Sequence, residues 1–194
     1  MEFKKIQLNG FKSFAEKTNF LIEDGLTGIV GPNGCGKSNI VESLRWVMGE
    51  TSAKSMRGSG MEDVIFSGTS NKASKNIAEV SISVANENNE GPLQYREFKE
   101  INVRRKIEKD KGSKFYINDK EVRARDAQMF FADLSTGAHS PSMISQGRIG
   151  ALVTAKPTDR RAILEEAAGI SGLHVRRHEA ELRLGAAENN LKRA

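Results

Sequence analysis

Residues 31–38, which read GPNGCGKS, constrain this chain more than any other feature because they fit the pattern G-x-x-x-x-G-K-[ST]. Glycines in such a loop let successive backbone amides converge on one point, and the start of a helix there favours an anion. Lys37 can bring a positive charge to the β- and γ-phosphates of a nucleotide, and the Ser38 hydroxyl can bind Mg²⁺. The motif therefore predicts a phosphate-binding loop for ATP and Mg²⁺.

The residues around the loop predict a strand before it and a helix after it. Residues 26–30 are an apolar stretch typical of a strand. After the loop, apolar residues recur with helical spacing at Ile40, Val41, Leu44, Val47 and Met48. Glu42 and Arg45 are expected on the opposite, polar face, and Gly49 is expected to end the helix. A glycine-rich turn that contains a lysine by accident is the alternative, and this context disfavours it.

Cys35, the only cysteine in the chain, lies inside the loop. One interpretation is a redox role, because the helix start and Lys37 would activate the thiol. The other is a small side chain in a position that does not need glycine. A resolving cysteine is absent from the sequence, so we favour the second interpretation.

The remaining pattern predicts further short strands and helices, and hence an α/β chain. Strands are predicted at residues 3–8, 18–22, 78–85, 98–107, 114–118 and 142–145. A turn through residues 109–113 makes a hairpin of the two strands that flank it. Helices are predicted at residues 125–134 and from the N-cap Thr158 to residue 168, where Gly169 would stop the helix.

The C-terminal residues are spaced 4-3-4-3-4-3, which is the spacing of a coiled-coil seam. The seven positions are Leu173, Arg177, Ala180, Leu184, Ala187, Leu191 and Ala194, and only the arginine is not apolar. Three heptads also describe an ordinary surface helix, so both interpretations remain open. The pattern is unbroken at the last residue, as expected of a piece of a longer chain.

Composition excludes several classes of protein. The longest apolar run is four residues, at positions 129–132, which is too short for a membrane span. One cysteine allows no internal disulfide and suits a reducing cytosol. The net charge of +5 mildly favours anionic partners such as nucleotides or nucleic acid.

The second half of a nucleotide-hydrolysing site is not evident in the sequence. Residues 129–133 place an acid after four apolar residues, but the stretch has helical character and lacks β-branched residues. The three histidines, at positions 139, 174 and 178, have no nearby ligand set, so a metal site is not expected. Eleven basic residues between positions 96 and 125 suit either DNA phosphates or a solvated hairpin face. The sequence thus predicts an ATP cradle without the groups that complete hydrolysis.

Beyond the loop, the chain resembles the N-terminal head lobe of prokaryotic SMC (structural maintenance of chromosomes) proteins. The matching stretches are residues 10–14, 31–40, 44–50, 55–58, 61–66, 145–148 and 165–170. The resemblance implies the N-terminal lobe of a P-loop ABC-type ATPase, with a mixed sheet, an antiparallel β-subdomain and a C-terminal coiled-coil stem. It implies a head lobe at residues 1–157 and a helical stem root at 158–194, with the hinge and the C-terminal lobe outside this chain.

The resemblance also implies roles for individual residues. Lys37, Gln146 and Arg57 would act on the phosphates and the attacking water, and Ser38 and Gln146 would hold Mg²⁺. The ATP-binding set would be Pro32, Asn33, Gly34, Cys35, Gly36, Lys37, Ser38 and Asn39, with Lys12 and Ser13 approaching from the side.

The implied function is ATP-dependent chromosome condensation and segregation in a cytoplasmic, nucleoid-associated protein. Implied partners are the protein's own C-terminal head lobe, a second head in a homodimer, a kleisin-type subunit and double-stranded DNA bound without sequence preference; a membrane is not among them. A related coiled-coil ATPase of DNA repair and recombination is the nearest alternative. Another is a non-hydrolytic interaction module that binds a partner through its stem and uses the loop only as an anchor. A small-molecule kinase is disfavoured because neither a lid nor an acceptor site is visible.

Overall fold

The computed structural model describes residues 1–88, 91–134, 143–144, 153–168 and 171–192. The strands in these ranges are β1 (Glu2–Asn9), β2 (Thr18–Leu21), β3 (Ile77–Ala85), β4 (Glu100–Glu108), β5 (Gly112–Ile117) and β6 (Lys120–Val122). The α-helices are α1 (Lys37–Val47), α2 (Ala124–Asp133), α3 (Pro157–Ala167) and α4 (Ser171–Leu191). Short 3₁₀ turns occupy Lys54–Met56, Met61–Val64 and Leu93–Tyr95.

The six strands form one antiparallel sheet in the order β2-β1-β3-β4-β5-β6. Alternation of apolar and polar residues in the long strands gives the sheet one apolar face. The register places Ile6 beside Ile82, Ile82 beside Val103, and Val103 beside Ile117. These four side chains are buried, and each contributes roughly 1.5–3 kcal/mol by leaving water. The predicted strands at residues 3–8, 18–22, 78–85, 98–107 and 114–118 are confirmed, with ends that differ by at most two residues.

Helix α1 covers the apolar face of the sheet, where it contacts β3 and β4. Ile40, Trp46 and Val47 are buried, and the ring of Trp46 lies 5.4 Å from that of Phe11. The helix ends at Val47, just before Gly49, as predicted. Gly49 has a φ of 105°, a left-handed conformation that glycine adopts without strain.

Residues 26–30 do not form the predicted strand. Leu26 is fully exposed and Val30 is 94 % exposed. The sequence pattern is compatible with a strand, but a strand also needs a neighbour to pair its backbone amides and carbonyls. No strand within the described residues lies beside this segment, and every strand pair there is antiparallel. The parallel part of the predicted mixed sheet is therefore not formed by the described residues.

The helical predictions are confirmed, apart from details at their ends. Helix α2 contains the stretch 129–133, so this stretch is not a strand. Helix α3 begins at Pro157, which places Thr158 inside its first turn instead of at the N-cap. Helix α4 includes the first six positions of the predicted seam, and Leu184 and Leu191 are exposed on it. Residues 143–144 are not in a strand, and the rest of the predicted strand 142–145 lies outside the described residues.

Candidate functional site

The glycine-rich loop leads directly into α1, and the helix begins at Lys37. Gly34 and Gly36 have φ values of 81° and 96°, which are left-handed conformations that other residues avoid. Gly36 is also crowded, because a Cβ atom there would lie 2.5 Å from the Ser13 hydroxyl and 3.4 Å from the Phe14 ring. The loop thus takes the turn expected before a helix N-terminus, where unpaired amides favour an anion.

The ammonium group of Lys37 lies over its own loop. It donates hydrogen bonds to the carbonyl oxygens of Gly31, at 2.5 Å, and Pro32, at 2.6 Å. The Cys35 thiol is exposed, 3.8 Å from the same nitrogen. The positive charge that the motif predicted for the loop is therefore at the loop.

Ser13, Asn39 and Arg57 form a chain of hydrogen bonds beside the first turn of α1. The Asn39 amide donates to the Ser13 hydroxyl at 2.9 Å, and Arg57 donates to the Asn39 amide oxygen at 3.2 Å. Asn33, Gly34 and these three hydrogen-bonded residues are at the protein surface. The structure therefore brings together, at the N-terminal end of α1, four residues that were predicted from three separate stretches of the sequence. They are Lys12, Ser13, Asn39 and Arg57, and Lys12 joins the group through Glu42.

The expectation that Glu42 lies on a polar, solvated face is wrong. Glu42 is only 8 % exposed, and its carboxylate forms ion pairs with both Lys12 and Arg57. The Lys12 ammonium also donates to the Met56 carbonyl at 2.5 Å. Sequence reasoning missed Glu42 because its partners come from other loops, and no local pattern connects them. Arg45, also predicted on the polar face, is largely covered and pairs with buried Glu50 at 3.1 Å.

The turn that follows Arg57 is fixed by Asp63. One carboxylate oxygen of Asp63 accepts hydrogen bonds from the Ser59 amide at 2.6 Å, the Ser59 hydroxyl at 2.8 Å and the Gly60 amide at 2.9 Å. The bond from Gly60, followed by those from Ser59, keeps the pKa of Asp63 below its usual value. Asp63 is therefore ionised at neutral pH and holds the segment that carries Arg57.

A cleft of about 350 Å³ runs along α1 from the Ser38 hydroxyl. It is lined by Ser38, Val41, Glu42, Arg45, Ser55, Arg57 and Ile144. Ser38, the predicted Mg²⁺ ligand, thus opens onto a space walled by Arg57. Gln146, the other predicted ligand, lies outside the described residues.

Arg105 holds the far end of α1 to the sheet. Its Nη1 donates to the carbonyl oxygens of Trp46 and Glu50, both at 2.7 Å, and its Nε donates to the Ser113 hydroxyl at 2.7 Å. The guanidinium lies over the Trp46 and Phe115 rings at 4.5 and 4.6 Å. Burial lowers the pKa of Arg105 to about 10, against the opposing effect of Glu50, so it is charged at neutral pH. A cation at a helix C-terminus is favourable.

Arg105 is one of the eleven basic residues between positions 96 and 125, but it is not available to bind DNA phosphates. It is 3 % exposed and cannot reach a phosphate. Others of the eleven are also in ion pairs: Arg104 with Glu79 and Asp119, Lys111 with Glu108, and Lys114 with Glu121. The remaining cluster is smaller than the sequence indicated.

The described part of the chain lacks a cluster of metal ligands and a membrane-spanning helix. It contains no group of three His, Cys, Asp or Glu side chains placed to hold a metal ion. None of its helices combines the length and apolar character that crossing a bilayer requires.

The fold and the loop define an α/β lobe with a phosphate-loop sequence at the start of its central helix. Residues 2–148 match the family model of the RecF/RecN/SMC N-terminal domain, so the chain belongs to that family. The prediction of an SMC-type N-terminal head lobe is confirmed by the relatives and solved structures that it resembles.

The chromosome partition protein Smc of Rhodopseudomonas palustris is 55 % identical to this chain over 193 residues. The match covers the whole of this chain and only 17 % of that protein. The chain therefore spans about one sixth of the length of the curated relatives it matches. The Smc protein of Myxococcus xanthus, 45 % identical over 194 residues, is likewise a chromosome partition protein, so these relatives favour the partition proteins over the repair ATPase considered as the alternative.

Two solved structures share the fold at 31 % identity. One is the Smc head domain of Pyrococcus furiosus with an extended coiled coil, bound to the C-terminal domain of ScpA; it matches 99 % of this chain and 48 % of its own, with a TM-score of 0.81. The other comes from work on ATP-driven dimerization and DNA-stimulated activation of SMC ATPases; it matches 86 % of this chain and 99 % of its own, with a TM-score of 0.73. This likeness confirms the predicted fold class, the N-terminal lobe of an SMC head, while the coiled-coil stem stays a prediction for this chain.

Proposed function

We propose that this chain is the ATP-binding half of an SMC head that acts in chromosome segregation. The loop amides and Lys37 bind the phosphates, while Ser38 and Gln146 hold Mg²⁺. Arg57, Lys12 and Ser13 approach the nucleotide from the side. The observation that carries the proposal is the left-handed turn at Gly36, through which the loop enters α1. The Lys37 ammonium lies over this same loop.

Replacing Lys37 by alanine should weaken ATP·Mg²⁺ binding by about 10- to 100-fold, because a charge-assisted hydrogen bond contributes about 1.5–3 kcal/mol. Isothermal titration of the full-length protein measures the change. Lys17→Ala is the matched control, since it removes the same charge from an exposed residue outside the loop. Equal affinity in the Lys37 variant and the wild type would instead favour the module that only binds a partner.

The nucleotide site is, in our proposal, completed by a C-terminal lobe that supplies the acidic residues for hydrolysis. Two exposed apolar surfaces support this. Residues 26–30, directly before the loop, lie in no strand and expose Leu26, Ile29 and Val30, so an added strand would pair with their backbone groups and cover these side chains. Helix α4 exposes Leu184 and Leu191, which suit a second helix of a coiled coil. We assign the head lobe to residues 1–157 and the stem root to 158–194.

Mixing this chain with the C-terminal lobe of the same protein should restore ATP turnover that the chain alone lacks. The added lobe should also slow hydrogen exchange of the amides at residues 26–30, because a strand pair would protect them. Phosphate release and hydrogen exchange are measured on the same samples. Full turnover by the isolated chain, or unchanged exchange at 26–30, contradicts the divided site.

The further partners follow from the relatives. A solved SMC head with the ScpA C-terminal domain supports a kleisin-type subunit, and work on ATP-driven dimerization supports engagement of a second head. ATP bound between two heads would stabilise the engaged state over the separated one. The free energy of ATP binding would thus drive a change in head geometry, and this change would trap double-stranded DNA. Such a protein would act in the cytoplasm on the nucleoid.

A further inference from the structure

One buried carboxylate joins two loops to the central helix. The two oxygens of Glu42 are shared between Lys12, from the segment after β1, and Arg57, from the turn at Lys54–Met56. Lys12 also donates to the carbonyl of Met56, the residue before Arg57. The two loops therefore hold each other as well as α1, and Glu42 is the group that they have in common.

Both cations come from backbone positions that need support. Lys12 and Arg57 have φ values of 47° and 55°, in the left-handed region that residues with a side chain seldom adopt. Such conformations persist where surrounding contacts determine them. The backbone amides of Lys12 and Arg57 are held by the carbonyls of Val64 and Lys54, and their side chains meet at Glu42.

The Glu42 carboxylate also offsets the repulsion between the positive charges of Lys12 and Arg57. Lys12 and Arg57 contact one carboxylate and therefore lie close to each other, where two positive charges repel. The Arg57 side chain is 59 % exposed, so without Glu42 it would turn outward into water. With Glu42 the three groups carry a net charge of +1, and both cations stay beside α1.

The position of Glu42 relates this cluster to the phosphates. Ser38 and Glu42 are four residues apart, so they share one face of α1 and are separated by one turn. Ser38, Glu42 and Arg57 line the same cleft. A Mg²⁺-bound polyphosphate at Ser38 would thus lie beside the cations that Glu42 holds.

We propose that Glu42 is a positioning residue, which holds Lys12 and Arg57 aligned at the Ser38 end of the cleft so that the bound nucleotide meets both cations without reordering the loops. The inference rests on the proposed ATP site and identifies what organises it. Glu42 itself does not contact the nucleotide, because its two oxygens are taken by Lys12 and Arg57.

The test is a double-mutant cycle on ATP·Mg²⁺ affinity, measured by isothermal titration in the full-length protein. We expect Glu42→Gln and Arg57→Ala each to weaken binding about tenfold. The double variant should be weakened clearly less than the roughly 100-fold that independent effects would give, because one of the two cations that Glu42 holds is already absent. A carboxylate that only stabilised the fold would give independent effects, with a loss of about 100-fold in the double variant, and this result would overturn the proposal.

A second variant and a control complete the design. Glu42→Asp keeps the charge but is one methylene shorter, so it should lose about threefold, and the further loss in the Arg57→Ala background should be smaller than threefold. Glu79→Gln removes the same charge from the ion pair with Arg104 in the sheet and should leave affinity unchanged. Wild-type or tighter binding by Glu42→Gln would also overturn the inference, the latter because Glu42 would then compete with the phosphates.

The proposed function fails by a different result. If the wild-type protein does not bind ATP, or binds it equally after Lys37→Ala, the ATP site itself is wrong. If binding depends on Lys37 while the Glu42 cycle shows independent effects, only the positioning role is wrong.

Discussion

Arg105→Ala should lower the free energy of unfolding of the lobe by about 3 kcal/mol, an unusually large effect for one polar side chain. The substitution removes the Arg105 donor from the carbonyls of Trp46 and Glu50, and the Trp46 carbonyl keeps only the Gly49 amide at 3.1 Å among the bonds described. A hydrogen bond from a charged group contributes about 1.5–3 kcal/mol, and the contacts of the guanidinium with the Trp46 and Phe115 rings are also lost. The gain from no longer burying a charge offsets part of the loss, as the lowered pKa of Arg105 indicates.

Arg104→Ala is the matched control, because the neighbouring residue faces the other side of the sheet. Arg104 pairs with Glu79 and Asp119 and stacks on Tyr116 at 4.3 Å, contacts that are accessible to water. Its loss should cost below about 1 kcal/mol. Urea unfolding followed by circular dichroism measures both variants, and equal destabilisation would contradict the special role of Arg105.

Gly36→Val should abolish ATP·Mg²⁺ binding at ordinary nucleotide concentrations, with a loss of about 100-fold or more. A β-branched residue at a φ of 96° is strained by about 1–3 kcal/mol. Its Cβ would also lie 2.5 Å from the Ser13 hydroxyl, so the loop, Ser13 or both must move. Either movement displaces the amides that precede α1, and the phosphate site is lost with them.

Gly60→Val provides the comparison for this loop variant. Gly60 has an extended backbone, with φ −133° and ψ 162°, and a Cβ there would meet nothing within 4 Å. Binding should be close to that of the wild type. Nucleotide titration and thermal unfolding of both variants distinguish a local change in the loop from loss of the fold, and tight binding by Gly36→Val would refute the loop geometry.

Arg105 was predictable in position although not in role. Ile101, Val103 and Ile107 alternate along β4 on the buried face, and Arg105 falls in the same alternation. An arginine at a core position of a strand indicates a buried, hydrogen-bonded guanidinium. Which carbonyls it would cap was not predictable, because Trp46 lies 59 residues away in the chain.

Local signals were sufficient for most elements. Period-two alternation predicted the strands of the sheet, helical spacing predicted α1, and the glycine pattern predicted the turn before it. These signals are short in range, so the sequence carries them directly. The segment 26–30 shows the limit of such signals, since its apolar pattern favours a strand but strand formation depends on a pairing partner.

The sequence alone determined the loop, the helix that follows it, the sheet strands and the resemblance that identified the family, because each depends on residues close together in the chain. Only the tertiary structure decided that Glu42 is buried and holds Lys12 and Arg57. Lys12 precedes Glu42 by 30 residues in the sequence, whereas Arg57 follows it. Ion pairs of this kind depend on how loops fold back onto a helix, and local residue spacing contains no record of that approach.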